Sequence, residues 1–189
     1  QTRFDVSSTM LNKENIDLNF EGLDTYAQVY LNDSLILSSN NAFRNYKVPV
    51  KDFVLLNNSL SIKFTPTHIK EEIEKNKLGY TLPEGRRIFT RKAQFQYGWD
   101  WGPSLNTIGI WKGVSLNAWN DAKIEHVYLK KKSYTKDQAK ITAKISLSDA
   151  PKEPTLIVLS IAGKDFSLPI QAGNEKKEFD VPLTIDNPQ

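Results

Sequence analysis

Residues 91–103 read RKAQFQYGWDWGP and hold the side chains in this sequence best suited to chemistry. All four tryptophans, Trp99, Trp101, Trp111 and Trp119, fall between positions 99 and 119. An indole is large and amphipathic, so such a cluster is either the densest part of a core or a surface on which ligands stack. Gly98 and Gly102 admit backbone angles closed to other residues, and Pro103 fixes its own φ and restricts Gly102. Two flat rings and a carboxylate on one turn would suit a sugar. An indole covers the apolar face of a pyranose, and Asp100 accepts bonds from neighbouring hydroxyls, each worth about 1.5–3 kcal/mol to a charged acceptor. Trp99, Asp100 and Trp101 are therefore the candidate binding residues. The same run also fits a tryptophan-rich core at a sheet corner, with Asp100 capping the turn. Trp111 and Trp119 lie on strand-like stretches and read as core or interdomain packing.

Other chemistries find less support. Catalysis by paired carboxylates with retention needs two acids about 5–5.5 Å apart. Glu21, Asp24, Asp52 and Glu84 all fall at strand ends or turns, where they read as solvated or turn-forming, and nothing pairs them. Arg91 and Lys92 precede the turn, and as neighbours on a strand they would face opposite sides. The absence of cysteine excludes disulfides and thiol catalysis. His68 and His126 have no partner at metal-ligand spacing, so neither a metal nor a cofactor is expected. There is no phosphate-binding glycine loop and no nucleophile elbow. The net charge of +3 is small and forms no basic stripe, so a nucleic-acid partner is not expected. No apolar run approaches the roughly 20 residues of a membrane span.

The elements that must position the turn are mostly strands. With 39% hydrophobic and 25% charged residues the composition is that of an ordinary globular protein. Period-two alternation predicts strands at 3–8, 15–21 and 26–32, the last with Ala27, Val29 and Leu31 on one face. Asn32-Asp33 predicts a hairpin turn into 35–37. Further strands are expected at 46–50, with Pro49 at an edge or end, and at 59–65. Residues 68–78 read as a short helix with Ile69 and Ile73 on its apolar face, Glu71 paired to Lys75, and Gly79 as its stop. A loop is expected over 80–87, a strand over 88–97 leading to the tryptophan turn, and another over 108–119. A domain boundary is placed near 120–122. Beyond it, strands at 124–132, 140–148, 155–162, 165–170 and 178–185, separated by turn signals, suggest an immunoglobulin-type sandwich with fewer strands than the usual seven. A first residue of Gln rather than Met, and an end without a closing element, suggest a piece of a longer chain.

The run FEGLDTYA at 20–27, followed by Val29-Tyr30-Leu31-Asn32, Phe43-Arg44 and Tyr46, resembles the amino-terminal domain of β-mannosidases of glycoside hydrolase family two. Arg91-Lys92-Ala93-Gln94-Phe95, the segment 97–103, Gly109-Ile110-Trp111 and Ala118-Trp119 continue the match in order. The resemblance is dense over roughly residues 1–125 and general beyond. It implies an all-β architecture: a jelly-roll, galactose-binding-like sandwich at 1–120, its opening strands truncated, then an incomplete immunoglobulin-like sandwich at 121–189. It further implies a catalytic TIM barrel outside this chain, which would hold the acid/base and nucleophile glutamates, so no catalytic residue is expected here. The implied partner is a β-mannoside, for which Trp99 and Asp100, supported by Trp101, would form one wall of the −1 subsite. Periplasmic, secreted and lysosomal placements are all compatible with the family.

Overall fold

A computed structural model describes residues 1–80, 82–83, 85–173 and 175–188 of the protein. Glu84 and part of the 80–87 loop lie outside the described residues. The chain divides into two compact units, Gln1–Ala118 and Trp119–Gln189.

The first unit opens with β1 (Thr2–Asp5) and a one-turn helix α1 (Ser8–Leu11). The strand expected over 3–8 thus ends early, because the Ser7 hydroxyl caps the helix by accepting from the Met10 amide at 3.2 Å. There follow β2 (Asn15–Phe20), β3 (Leu23–Asp24), β4 (Tyr26–Leu31), β5 (Ser34–Asn40), β6 (Tyr46–Pro49) and β7 (Asn57–Thr65). After helix α2 (Thr67–Leu78) come two 3₁₀ turns, Arg87–Phe89 and Gln94–Tyr97, and then β8 (Gly109–Ile110) and β9 (Val114–Trp119). One sheet has the order β1-β7-β4-β5 and a second β6-β2-β9, while β3 and β8 form a separate short pair. Alternation explains how the sheets close on each other. Ile16, Leu18 and Phe20 of β2 and Ala27, Val29 and Leu31 of β4 are buried and share one core with Val6, Val50 and Leu60. Asn32 and Asp33 both take positive φ, 47° and 65°, and connect β4 to β5 as the expected two-residue hairpin turn. Pro49 ends β6, an edge strand, where its missing amide costs no ladder bond.

Further expectations are corrected. Residues 88–97 are not a strand: the two 3₁₀ turns occupy them, and Arg91 makes only an isolated bridge to Asn41. The stretch 108–119 is split into β8 and β9 rather than continuous. Helix α2 ends at Gly79 as expected, with φ 75°, but it turns a different face inward. Ile69 and Ile73 are 45% and 44% exposed, while Thr67 and Glu71 are buried. Glu71 is not paired to Lys75. It accepts from hydroxyls instead, and Lys75 lies 3.9 Å from Glu72.

The second unit holds β10 (Ile124–Tyr134), β11 (Gln138–Leu147), β12 (Thr155–Ile161), β13 (Lys164–Ile170) and β14 (Glu178–Asp186). The order β10-β11-β14 makes one antiparallel sheet, and β12-β13 is a hairpin whose turn residues Ala162 and Gly163 have φ 49° and 73°. Ala143, Ile145 and Leu147 meet Ile157, Ile170, Phe179, Val181 and Leu183 in a separate core. The protein is all-β in architecture, built of packed sheets with no barrel among the described residues.

Candidate functional site

The tryptophan turn projects from the first unit as a short stapled loop. Gly98 has φ +91°, which only glycine adopts readily, and a Cβ there would stand 3.0 Å from the Gly102 carbonyl oxygen. The amides and carbonyls of Trp99 and Gly102 bond to each other reciprocally, Trp99 N to Gly102 O at 3.2 Å and Gly102 N to Trp99 O at 3.1 Å. One step back, the Leu105 amide donates to the Gln96 carbonyl at 2.9 Å. This ladder leaves Asp100 and Trp101 at the tip.

Trp99 is 70% and Trp101 88% exposed, and Asp100 is exposed between them. A tryptophan-rich core at a sheet corner is therefore not what the turn forms. Phe95, Gly98, Trp99, Trp101, Gly102 and Pro103 line an open depression of about 400 Å³. Among the described residues the Asp100 carboxylate has no hydrogen-bond or ion-pair partner, so it does not cap its own turn. Rings and carboxylate are together on one tip, as the candidate site requires.

Trp111 and Trp119 are not part of this surface. The Trp111 indole N–H donates to the Ala42 carbonyl at 3.0 Å, and its ring lies over Gly22, where an added Cβ would come within 2.3 Å of Nε1. Trp111 is half-exposed rather than core. Trp119 is half-buried, with the Lys123 ammonium 3.2 Å from its ring centroid.

The loop's base carries residues that reading the sequence missed. Asp24, expected at a strand end or turn as a solvated or turn-forming acid, is 7% exposed instead, and Lys92 is 2% exposed with its ammonium 3.2 Å from Asp24 Oδ1. Thr25 Oγ1 donates to the same oxygen. Gln96 Nε2 donates to Asp24 Oδ2 at 3.3 Å. Lys92 also donates to the Thr107 carbonyl at 2.5 Å, while the Thr107 amide and hydroxyl both donate to Gln96 Oε1 at 3.1 Å. On the loop's other side the hydroxyls of Thr90, at 2.8 Å, and Tyr97 donate to Glu71 Oε1 of α2. Burial and the bond to Glu71 push the Tyr97 phenol up to about 12. Arg91 is exposed and Lys92 buried, a separation that strand alternation does not explain, since the segment is not a strand. Glu21 and Asp52 are exposed, as expected of turn acids. Among the described residues no group of three or more His, Cys, Asp or Glu could hold a metal ion.

Residues 1–112 match the galactose-binding-like domain of glycosyl hydrolase 2. The chain belongs to that family. Among its relatives, a β-mannosidase B of Aspergillus niger is 31% identical over 186 residues, covering 92% of this chain and 22% of the relative. The β-mannosidase of Capra hircus is 34% identical over 129 residues, covering 62% of this chain and 15% of the relative. The crystal structure of a β-D-mannosidase from Dictyoglomus thermophilum matches with a TM-score of 0.88 at 32% identity, over 99% of this chain and 24% of that one. The chain spans less than a quarter of the length of each of these proteins.

Proposed function

We propose that the chain is the amino-terminal, non-barrel part of a retaining exo-β-mannosidase that removes terminal β-linked mannose from glycans. Trp99, Asp100 and Trp101 then contribute one wall of the −1 subsite. On this reading the domains divide at 1–120, a jelly-roll, and 121–189, an incomplete immunoglobulin-like sandwich. The acid/base and nucleophile glutamates stand on a barrel outside the chain, and the chain alone is inactive. The observation that carries the proposal is the tip itself: exposed indoles flanking a carboxylate without a partner, on a backbone closed by its own bonds. β-Mannosidase relatives and the structural match support it.

The role assigned to Asp100 is positional and electrostatic. Its two oxygens can accept from adjacent sugar hydroxyls, each bond contributing about 1.5–3 kcal/mol, while an indole shields the ring's apolar face. In the whole glycosidase, Asp100→Ala should lower kcat/KM by roughly 10²–10⁴, two such bonds at about 1.4 kcal/mol per tenfold, with Tm unchanged. A fall in Tm with kinetics intact would make Asp100 a structural turn residue and sink the proposal.

A second reading, a non-catalytic carbohydrate-binding module, rests on the same exposed indoles. Calorimetric titration of mannose into the 189-residue chain separates the two. Little or no heat is expected of half a pocket, and saturable binding favours the module.

A further inference from the structure

We infer that Lys92 is a positioning residue for the tryptophan turn, acting through a ring of contacts, anchored on the buried Lys92–Asp24 pair, that runs Lys92–Asp24–Gln96–Thr107 and back to Lys92. The inference deepens the proposed function and rests on it for its catalytic consequence. Its geometry stands independently.

The ring is closed at every step: Lys92 to Asp24 at 3.2 Å, Asp24 to Gln96 at 3.3 Å, Gln96 to Thr107 at 3.1 Å, and Thr107 to Lys92 at 2.5 Å. Lys92 and Gln96 stand on the incoming side of the loop and hold the Asp24 carboxylate, and the same two side chains hold Thr107 on the outgoing side, so they tie both stems to Asp24. Asp24 in turn belongs to β3, which pairs with β8 immediately beyond Thr107. Past the ring the loop has its own ladder, and its tip residues are exposed. Where the ring sits therefore decides where Trp99 and Asp100 sit.

Burying an ammonium and a carboxylate is a poor way to gain stability, since apolar residues of equal volume do as well or better. What an ion pair adds is direction. A charged pair closed by oriented side-chain and backbone bonds admits one register of the stems, whereas an apolar contact would tolerate sliding. Binding groups need placement to well under an ångström, and a displacement of about 1 Å can cost about 100-fold in rate.

The test compares Lys92→Met, the double variant Asp24→Asn/Lys92→Met, and Gln96→Ala. Lys92→Met strands a buried carboxylate, whereas the double variant removes both charges and restores the ability to fold. Gln96→Ala cuts the opposite arm and leaves the ion pair intact. In the 189-residue chain, amide hydrogen exchange across 96–107 should quicken at least tenfold in the double variant and in Gln96→Ala, with β2 and β4 unchanged. In the whole glycosidase, the double variant should regain Tm yet keep kcat/KM for a β-mannoside about 100-fold down. Recovery of kcat/KM together with Tm would reduce the pair to a stability element and overturn the inference. Unchanged exchange over 96–107 would overturn it as well. If Asp100→Ala leaves activity intact, the subsite reading fails, and the exchange measurement still decides whether the ring holds the loop.

Discussion

Gly98 shows how one backbone angle sets the candidate site. With φ +91° and the Gly102 carbonyl 3.0 Å from where a Cβ would stand, alanine is strained both torsionally and sterically. Gly98→Ala should lower stability by about 1–3 kcal/mol in urea unfolding and, on the function proposed above, weaken sugar turnover in the longer protein. Tyr97 makes a pH-dependent contribution of known sign. Its phenol is held at about 12 in the folded chain against 10.0 ordinarily, so the folded state favours the neutral form. The stability this adds is complete below pH 10 and disappears as pH rises through 12. Urea midpoints taken from pH 9 to pH 12 should fall less steeply in Tyr97→Phe than in the parent. Parallel slopes would show that folding, by burial and the bond to Glu71, does not raise the phenol. Asp100, Trp99 and Trp101 were legible as candidates because residue type and turn chemistry coincide in one short run. Asp24 and Lys92 were not, because nothing local marks a buried ion pair. Asp24 and its ring partner Gln96 lie 72 positions apart, and only the folded backbone brings them together.

Among the elements, the alternating strands β2 and β4 were readable to within a residue, while the strand expected over 3–8 stops at Asp5. β2 and β4 present Ile16, Leu18, Phe20 and Ala27, Val29, Leu31 inward as their patterns dictate. Helix α2 was readable in its ends and misread in its face. Ile69 and Ile73 promised an apolar stripe, but the loop opposite offers two hydroxyls, from Thr90 and Tyr97, and Glu71 turns in to meet them. Burial followed the polar partner rather than hydrophobicity, which periodicity alone cannot foresee. In the 189-residue chain, Ile69→Ala should therefore change stability by about 0.5 kcal/mol or less. Glu71→Ala, which removes the acceptor shared by the Thr90 and Tyr97 hydroxyls, should cost about 1–3 kcal/mol. The reverse order in urea unfolding would restore the apolar-face reading. In the segment 88–97, Ala93, Phe95 and Tyr97 alternate as in a strand, and nothing in the pattern marks the 3₁₀ turns that form there instead.

At the scale of the molecule, the two units have separate cores, the first centred on Phe20, Leu23, Val29 and Leu31, the second on Ala143, Ile145 and Leu183. Truncation in one core acts first on its own unit. Phe20→Ala should cost about 3–5 kcal/mol and Leu183→Ala about 2–5 kcal/mol. Amide exchange should show each loss confined to the unit that carries the change. Uniform acceleration across both units would mean that the chain unfolds as one cooperative body. The five strands of the second unit were readable because turn signals recur at regular spacing. The partition of the first unit's strands into two facing sheets was not, since pairing order depends on contacts far apart in sequence.

The exposed tip has an optical consequence. Trp99 and Trp101 stand in water on the first unit, while Trp119 lies beneath a lysine ammonium. Emission from the tip pair should lie at long wavelength and be open to acrylamide quenching. Any body that covers the turn, whether glycan or protein, should shift that emission to the blue and shield it from the quencher. The chain thus carries an intrinsic fluorophore at its proposed sugar-binding tip.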